Sequence, residues 1–452
     1  MNRRDLLRSL SFAGAASAAS SAFAVAPDAS ADDASLLLRY FTLHARDLLR
    51  KPAGVLRFPS ISPSLPGATY SADLWDWDTL WTARGLFAVA DRTKDEGLTA
   101  DVAEHARGSL ANFFDHQGYD GNNDGRIPML ITMKDADPLG CLQGSRPHKE
   151  NQAKPVLAQL ALLAADRGPT EMRNARWFSD FLPKLRRFYD SWRVDNLSRT
   201  GLLVWGDDVA IGNDNDPTTF GRPFFSSANL LLNCLYHQDL KAAAELSRRN
   251  EHSSEAEQYE REAGTLARAI QQNCWDPRDR FFYTADVQCV DRRAELIHGI
   301  PLGMSMSWSS LPLRLQTFTG FLPMWAGIAT QDQSRALVEH LRNGRSLGAR
   351  YGVRTLSAVE PMYSLAASSN PSNWLGPVWI IANYLTWSGL VRGGFREQAD
   401  AMAAVTISML ARDLRHSGSL NEYYHPDSGA PLSHAGFMDW NLLVLEMFPQ
   451  HG

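Results

Sequence analysis

Apolar residues recur at helical spacing in twelve stretches that follow one another along most of the 452-residue chain. Most of these stretches are adjacent pairs, and amphipathic helices of this kind are stable only when they bury their apolar faces against one another. An open solenoid would show a sequence repeat of fixed period, and this chain shows none. The pattern therefore predicts an all-α fold, a closed (α/α)6 barrel, with one catalytic domain over residues 32–450. The predicted helices cover about 32–50, 77–92, 98–116, 152–167, 170–194, 225–248, 252–274, 321–330, 331–343, 376–393, 395–415 and 436–447.

The long segments between these helices are expected to gather at one rim of the ring. The chain has thirteen Trp and twelve Tyr, and many lie in these segments. Aromatic residues in loops indicate a ligand groove. A small β-hairpin is predicted between Cys274 and Cys289, and whether the two cysteines form a disulfide stays open. The rim segments are 51–76, 117–150, 195–224, 291–320, 344–375 and 417–435.

Composition excludes several classes of partner. The formal net charge is −5, 21% of the residues are charged, and no long basic run follows the N-terminal segment. Nucleic acid and anionic membrane surfaces are therefore poor candidate partners. Beyond the N-terminal segment, no run reaches the roughly 18 apolar residues that span a bilayer. The four cysteines contain no C-x-x-C pair, so neither a zinc site nor another cofactor is expected.

Residues 1–26 predict an export signal. Arg3 and Arg4 precede a weakly apolar Ala/Ser-rich stretch with small residues at Ala22 and Ala24. The paired arginines are typical of a twin-arginine signal, with an ordinary Sec signal as the alternative. We therefore expect a periplasmic or secreted protein that has no membrane segment in its mature form.

The stretch D-G-N-N-D-G-R-I-P, 120–128, resembles the start of a calcium-binding loop. Asp120, Asn122, Asp124 and Gly125 match that pattern, but its twelfth position holds Ile131 in place of the bidentate Glu. A tight rim turn is the expected structure, and calcium binding by Asp120–Asp124 stays open.

The loop V-W-G-D-D-V-A-I-G-N-D-N-D-P-T-T-F-G-R-P, 204–223, combines acids with aromatic residues. Such a mixture suits a sugar site, because carboxylates move protons and bind hydroxyls while aromatic faces stack on sugar rings. The alternative is a polar turn that caps the following helix. The acids of this loop are Asp207, Asp208, Asp214 and Asp216.

The stretch Y-S-A-D-L-W-D-W-D, 70–78, alternates acids with indoles. In an extended segment, Asp73, Asp76 and Asp78 would project to one face while Trp75 and Trp77 project to the other. A sugar subsite needs both residue types together. The structural alternative is helix capping by Asp78 combined with core tryptophans.

Two further loops carry candidate site residues. N-P-S-N-W-L-G-P-V-W, 370–379, leads into a helix, and its Gly376 allows close backbone approach. S-L-N-E-Y-Y-H-P-D-S-G, 419–429, places Glu422 before two tyrosines and a histidine. The remaining candidates in these loops are Asn373, Trp374, Trp379, Tyr423, Tyr424 and His425.

Together these motifs resemble the clan of glycoside hydrolase family 63, in which single-domain bacterial members hydrolyse mannosylglycerate or glucosylglycerate. The resemblance implies an (α/α)6 barrel that hydrolyses α-glycosides with inversion, with Asp214 as general acid and Glu422 as general base. Asp216 stands where the family pattern often has Ser or Thr. The motifs, in order, are D-L-W-D-W-D-T, G-N-D-N-D-P, F-L-P-M-W-A, N-P-S-N-W-L-G-P-V-W, N-E-Y-Y-H-P-D-S-G and G-F-M-D-W-N-L-L-V.

The resulting hypothesis is a hydrolase of small glucosides or mannosides whose only expected partner is the sugar substrate. A non-catalytic sugar-binding toroid is one alternative, and a polysaccharide lyase that uses the Tyr/His cluster near Glu422 is another. The sugar, the linkage and the oligomeric state stay open. The residues expected to bind substrate are Tyr70, Asp73, Trp75, Asp76, Trp77, Asp78, Asp208, Asp216, Asn373, Trp374, Gly376, Trp379, Tyr424 and Trp440.

Overall fold

The computed structural model describes residues 30–142, 151–289, 308–368 and 371–449, so the predicted export signal lies outside the described residues. The described part of the chain is mostly helical, as the sequence predicts. None of its helices is both long enough and apolar enough to cross a membrane. The helices are α1 Ala31–His44, α2 Asp76–Thr93, α3 Glu96–Asp115, α4 Leu157–Arg167, α5 Leu182–Asn196, α6 Leu230–Arg249, α7 Ser253–Cys274, α8 Leu322–Trp325, α9 Gln331–Arg342, α10 Ile380–Gly393, α11 Arg396–Ser417 and α12 Val444–Met447.

Short antiparallel strands join the segments between the helices. The predicted hairpin after α7 is present, and Cys274 and Cys289 on either side of it are both free thiols. The strands pair as β1–β2, β3–β4, β5–β8–β9, β6–β7, β10–β11 and β12–β13–β14. They are β1 Leu49–Arg50, β2 Ser60–Ile61, β3 Asp73–Trp75, β4 Leu130–Thr132, β5 Ser227–Ala228, β6 Trp275–Asp276, β7 Phe281–Phe282, β8 Ala285–Asp286, β9 Leu311–Pro312, β10 Gly348–Ala349, β11 Gly352–Val353, β12 Val378–Trp379, β13 Tyr423–Tyr424 and β14 Pro431–Ser433.

Local sequence signals set several helix ends. Ser30 and Asp33 form a reciprocal capping box at the start of α1, and Thr330 and Gln333 do the same for α9. Gly418 ends α11 in a left-handed conformation that glycine adopts without steric cost.

Some helices begin later than predicted because another element precedes them. β5 and β12 occupy the predicted first residues of α6 and α10. The predicted helix 170–194 is replaced at its start by 3-10 turns at Thr170–Met172 and Arg176–Phe181. Pro183 then lies in the first turn of α5, where its missing N–H costs nothing.

The helices contact one another in an order that returns to its start. α2 contacts α4, α4 contacts α6, α6 contacts α8 and α8 contacts α10. α10 contacts the 3-10 turn Trp440–Leu443 that precedes α12, and this turn packs against α2. The other helices lie against these, for example α3 on α2 and α4, α7 on α6 and α11 on α10. This arrangement is consistent with an α/α toroid.

Gly85 lies where α2 packs against the Trp440–Leu443 turn. A Cβ at this position would be 2.2 Å from the Cβ of Leu442. Gly85→Ala should therefore lower the free energy of unfolding, because overpacking costs about 1–3 kcal/mol and exceeds the gain in helix propensity of about 1 kcal/mol.

Gly264 in α7 is the matched control. The nearest atom to a Cβ at this position is Nη1 of Arg268 at 3.7 Å, so the site has room for a methyl group. Gly264→Ala should raise the free energy of unfolding by about 0.5–1 kcal/mol. Urea unfolding of both variants measures whether each substitution raises or lowers the free energy of unfolding. Stabilisation by Gly85→Ala would contradict this account of the helix contact.

Candidate active site

A pocket of about 80 Å³ lies at the N-terminal ends of α2 and α10. The segments that line it are far apart in sequence and include most of the motifs described above. Lys154, Ala210, Gly212 and Ser372, which the sequence does not single out, also line it. The predicted site residues in its lining are Tyr70, Trp75, Trp77, Asp78, Asp214, Trp379, Glu422 and Trp440.

Short strands hold the pocket loops in place. β3 carries Trp75 into α2, and the strand is fixed by its pairing with β4. The register of β12 and β13 puts Trp379 opposite Tyr423. Because Glu422 directly precedes Tyr423, this pairing brings its carboxyl to the pocket beside Trp379.

Indole rings form much of the pocket wall. The ring centroids of Trp77 and Trp440 are 5.6 Å apart, and those of Trp379 and Trp440 are 5.7 Å apart. Trp374 stacks behind Trp379 with centroids 3.9 Å apart, so it supports the wall from outside the pocket. The Nε1 of Trp440 also donates to the carbonyl oxygen of Glu422 at 3.3 Å, which ties the wall to the acid.

Asp214 is half-buried in a loop that lies against Trp77. Gly212 has a φ of 95°, and a Cβ there would be 3.0 Å from the Trp77 ring, so glycine allows this close approach. The Oδ1 of Asn215 accepts a hydrogen bond from the backbone N–H of Trp374 at 2.6 Å. The residues on both sides of Asp214 therefore fix its position on the pocket wall.

Glu422 also lines the pocket and is only 3% exposed. Nδ1 of His434 donates a hydrogen bond to its Oε2. Burial raises the pKa of Glu422, the hydrogen bond and charge of His434 lower it, and the charge of Asp214 raises it, with a net upward shift. Asp214 and Glu422, although distant in sequence, thus line the same pocket.

His434 is a site residue that the sequence reasoning missed. Its hydrogen bond with Glu422 raises the pKa of its imidazole. Its ring lies edge-on to Tyr70, with centroids 5.6 Å apart. The contact between His434 and Glu422 depends on the pairing of β13 with β14. No motif or spacing in the sequence predicts this contact.

Lys154 and Asp76 form a buried ion pair beside the pocket. The Nζ of Lys154 is 2.9 Å from Oδ1 of Asp76 and donates to the carbonyl oxygen of Ala210 at 3.1 Å. Oδ2 of Asp76 accepts from the backbone N–H of Lys154 at 2.6 Å. Asp76 therefore lies behind the pocket and positions Lys154, which lines it.

The predicted division of acids and indoles between two faces is wrong. β3 ends at Trp75 and α2 begins at Asp76, so the extended alternation stops there. As a result Trp75, Trp77 and Asp78 all line the pocket, while Asp76 does not.

Asp78 forms a buried carboxyl pair with Asp439. Asp78 is 8% exposed and Asp439 is fully buried, and the two carboxyls lie close enough to shift each other's pKa. Oδ1 of Asp439 also accepts from the hydroxyl of Thr82 at 3.0 Å. Two carboxyls can share a hydrogen bond only if one carries a proton. Burial is the main cause that raises the pKa of both groups.

Asp439→Asn should make the stability of the protein less sensitive to rising pH. The folded wild type retains a proton that an unfolded carboxyl releases near pH 4. The pair therefore stabilises the fold at low pH, and this contribution is lost as the pH rises through the raised pKa. Asn can donate to Asp78 without titrating.

Urea unfolding at about pH 5 and about pH 8 tests this expectation. The free energy of unfolding should fall less between the two values in Asp439→Asn than in the wild type. An equal fall in both proteins would contradict a proton shared by Asp78 and Asp439.

Eight of the predicted substrate-binding residues lie outside the pocket lining, and several bond to the protein itself. Asp208 accepts from the backbone N–H of Gly221 at 2.7 Å, and the hydroxyl of Tyr424 donates to Asp413 at 2.9 Å. Asp216 accepts from a backbone N–H within its own loop. The eight are Asp73, Asp76, Asp208, Asp216, Asn373, Trp374, Gly376 and Tyr424.

Asp73 and Gly376, two of these eight residues, lie in other surroundings. Asp73 lines a separate cavity of about 180 Å³ on the rim. A Cβ on Gly376 would lie 2.4 Å from the ring of Tyr363, so this glycine serves loop packing.

The calcium-like stretch is a rim turn with its own ion pair. Gly121–Asn123 forms a 3-10 turn, and Asp124 pairs with Arg187. Within the described ranges, no three His, Cys, Asp or Glu side chains come together as metal ligands would.

The sequence profile of the mannosylglycerate hydrolase MGH1-like glycoside hydrolase domain matches residues 72–438, which contain Asp214 and Glu422. The chain belongs to this family. The resemblance to glycoside hydrolase family 63 is thereby confirmed.

Relatives of this MGH1-like chain include longer proteins. A probable mannosyl-oligosaccharide glucosidase of Schizosaccharomyces pombe is 21% identical over 77% of this chain and 40% of its own length. Mannosylglycerate hydrolase MGH1 of Selaginella moellendorffii is 32% identical over 25% of this chain and 21% of its own length. A mannosylglycerate hydrolase of Thermus thermophilus is 27% identical over 30% of this chain and 31% of its own length. The matched part thus spans less than half of each of these relatives.

Solved structures share the fold of this MGH1-like chain. A GH63 mannosylglycerate hydrolase of Thermus thermophilus in complex with glucose superposes with a TM-score of 0.63 at 20% identity, over 90% of this chain and 99% of that one. Neutral trehalase Nth1 of Saccharomyces cerevisiae superposes with a TM-score of 0.55 at 15% identity, over 87% of this chain and 74% of that one.

Proposed function

We propose that this MGH1-like chain hydrolyses α-glucosidic or α-mannosidic bonds of small glycosides with inversion, using Asp214 as general acid and Glu422 as general base. The observation that carries the proposal is the convergence of the two carboxyls on one pocket walled by indole rings. Glycoside hydrolysis needs such a pair, one group to protonate the leaving oxygen and one to activate water.

In the proposed reaction, Asp214 gives its proton to the glycosidic oxygen as the bond to the anomeric carbon breaks. Glu422 removes a proton from the water that attacks this carbon from the opposite face. The sugar then leaves with inverted configuration. The water needs room, so we expect the two carboxyls to be roughly 6.5–9.5 Å apart in the substrate complex.

Asp78 and Lys154 are suited to orient the sugar. An ammonium group has three N–H donors, and Lys154 directs two of them at Asp76 and the carbonyl oxygen of Ala210. The third can donate to a sugar hydroxyl, while Asp78 accepts from another. Stacking of the sugar ring on the pocket indoles completes the binding.

The proposal includes an (α/α)6 barrel formed by one domain over residues 32–450. The order of helix contacts, which returns from the Trp440–Leu443 turn to α2, supports six inner and six outer elements. A continuous cluster of buried apolar side chains, from Leu37 to Phe448, supports a single core.

The structure disfavours the lyase alternative. Tyr424 donates to Asp413, and Nδ1 of His425 accepts from the backbone N–H groups of Asp427 and Ser428. Neither side chain lines the pocket beside Glu422.

The substrate is tested by incubating the protein with mannosylglycerate, glucosylglycerate, kojibiose, nigerose and trehalose and measuring the free sugar released. We expect turnover of at least one of these α-glycosides, and the relatives named mannosylglycerate hydrolase make the first two the leading candidates. Sugar binding without turnover of any of them would instead support the non-catalytic toroid.

We also propose export through the twin-arginine signal at Arg3 and Arg4, which supports a periplasmic or secreted location. Changing both arginines to lysine should leave the precursor in the cytoplasm. Undiminished export of that variant would instead indicate an ordinary Sec signal.

A further inference from the structure

His434 occupies an unusual position next to the proposed base. It follows β14 with a φ of 52°, in the left-handed region that few residues other than glycine adopt. Tyr70, which packs against its ring, has a φ of 67° and is therefore also left-handed. Strained backbone of this kind persists where the surrounding structure enforces it, and it concentrates at functional sites.

The backbone holds His434 close to Glu422. The N–H of Glu422 donates to the carbonyl oxygen of Ser433 at 2.9 Å, and the N–H of Gly436 donates to the hydroxyl of Ser419 at 3.0 Å. These bonds tie the segment before Glu422 to the segment around His434. The contact between imidazole and carboxylate is therefore fixed from both sides.

We propose that His434 is a positioning residue that fixes one carboxylate oxygen of Glu422 and keeps this buried carboxylate ionised, so that its other oxygen can accept a proton from water. This inference rests on the proposed role of Glu422. Under this proposal, Glu422 needs His434 in order to accept a proton from water at the acid end of the pH range.

The charges around Glu422 support this role. Burial disfavours the carboxylate form, and the negative charge of Asp214 disfavours it further. Lys154 is a cation in the pocket lining, but its Nζ is paired with Asp76. His434 thus supplies the opposing charge at hydrogen-bond distance. The other titratable or charged groups around the pair are Asp214, Asp78, Asp439, Lys154, Tyr70 and Tyr423.

Two substitutions separate the charge of His434 from its hydrogen bond. In His434→Asn the side-chain amide can donate from nearly the same position, and Asn tolerates a left-handed backbone, but the charge is lost. In His434→Phe the ring can still pack against Tyr70, but both the donor and the charge are lost. His416→Asn, at an exposed position on α11, is the matched control.

The pH profile of kcat/KM on a hydrolysed α-glycoside is the first readout. In His434→Asn the acid limb should move to higher pH by about one unit or more, because the charge that favours ionised Glu422 is gone. The rate above the limb should change little. In His434→Phe the rate should also fall above the limb, by roughly tenfold or more, because Glu422 is no longer held in place.

In the control His416→Asn the acid limb should stay where it is in the wild type. If the limb also stays in place in His434→Asn, the proposal is overturned. Equal losses in both His434 variants without a shift of the limb would also overturn it, since they indicate a structural role alone.

Carboxyl ¹³C NMR titration of Glu422 is the second readout and needs no turnover. The pKa of Glu422 should be higher in His434→Asn than in the wild type, and an unchanged value would overturn the inference. If the wild type hydrolyses no glycoside, the proposed function fails, and this titration still decides whether His434 holds the carboxylate ionised.

Discussion

Glu422→Gln is expected to lower kcat by roughly 10²–10⁴-fold. Gln has almost the shape of Glu and can still accept the hydrogen bond from His434, but it cannot take a proton from the attacking water. The buried carboxyl makes no ion pair other than that with His434 among the described residues, so the fold should survive the change. KM should change little, because the indole wall stays intact.

Steady-state kinetics with a thermal melt of each variant measure this effect. Glu257→Gln is the matched control, because Glu257 is exposed on α7 and far from the pocket in sequence. It should retain wild-type kcat. Near-full activity of Glu422→Gln would remove Glu422 from the mechanism.

Glu422→Ala with added azide tests the role of Glu422 more narrowly. A small anion that needs no deprotonation can attack the anomeric carbon in the space left by the carboxylate. A β-glycosyl azide formed from an α-glycoside is the expected product. An α-glycosyl azide would instead indicate that Glu422 is not the base of an inverting reaction.

Asp214→Asn is expected to lower kcat by roughly 10²–10⁴-fold on natural glycosides, but much less on substrates with a good leaving group. A sugar or glycerate oxygen must be protonated as it leaves, and Asn cannot supply the proton. A dinitrophenolate leaves without protonation, so an activated aryl α-glycoside should be cleaved at a rate closer to that of the wild type.

The comparison of the two acids makes the assignment specific. Asp214→Asn should be rescued by the activated leaving group and Glu422→Gln should not, because water must still be activated. Asp208→Asn is the control for the loop, since Asp208 lies outside the pocket lining and accepts from the backbone N–H of Gly221. Equal losses of Asp214→Asn on both substrates would contradict the role of Asp214 as acid.

Much of the helical framework could be predicted from the sequence, because the 3.6-residue period marks a buried helix face directly. The prediction failed where a short element precedes a helix. β12 replaces the predicted start of α10, and 3-10 turns replace that of α5. Short strands of two or three residues are stabilised by pairing with distant segments, which a local pattern does not contain.

The candidate site was predictable only in part, for a similar reason. Asp214, Glu422 and four tryptophans were found because they lie in motifs of acids and aromatics, and the structure places them in one pocket. His434, Lys154 and Asp439 were missed because each acts through a partner that is distant in sequence or lies across a loop. Asp208 and Asp216 were included because a sequence does not show which acids are bonded within their own loop.

The anomer first released by the wild type tests the central claim most directly. Proton NMR during early turnover of an α-glycoside, before mutarotation, distinguishes the two product anomers. An inverting pair, with water between Glu422 and the sugar, must release the β-anomer first. Initial release of the α-anomer would contradict this account, because it would require a retaining mechanism with a different use of the two acids.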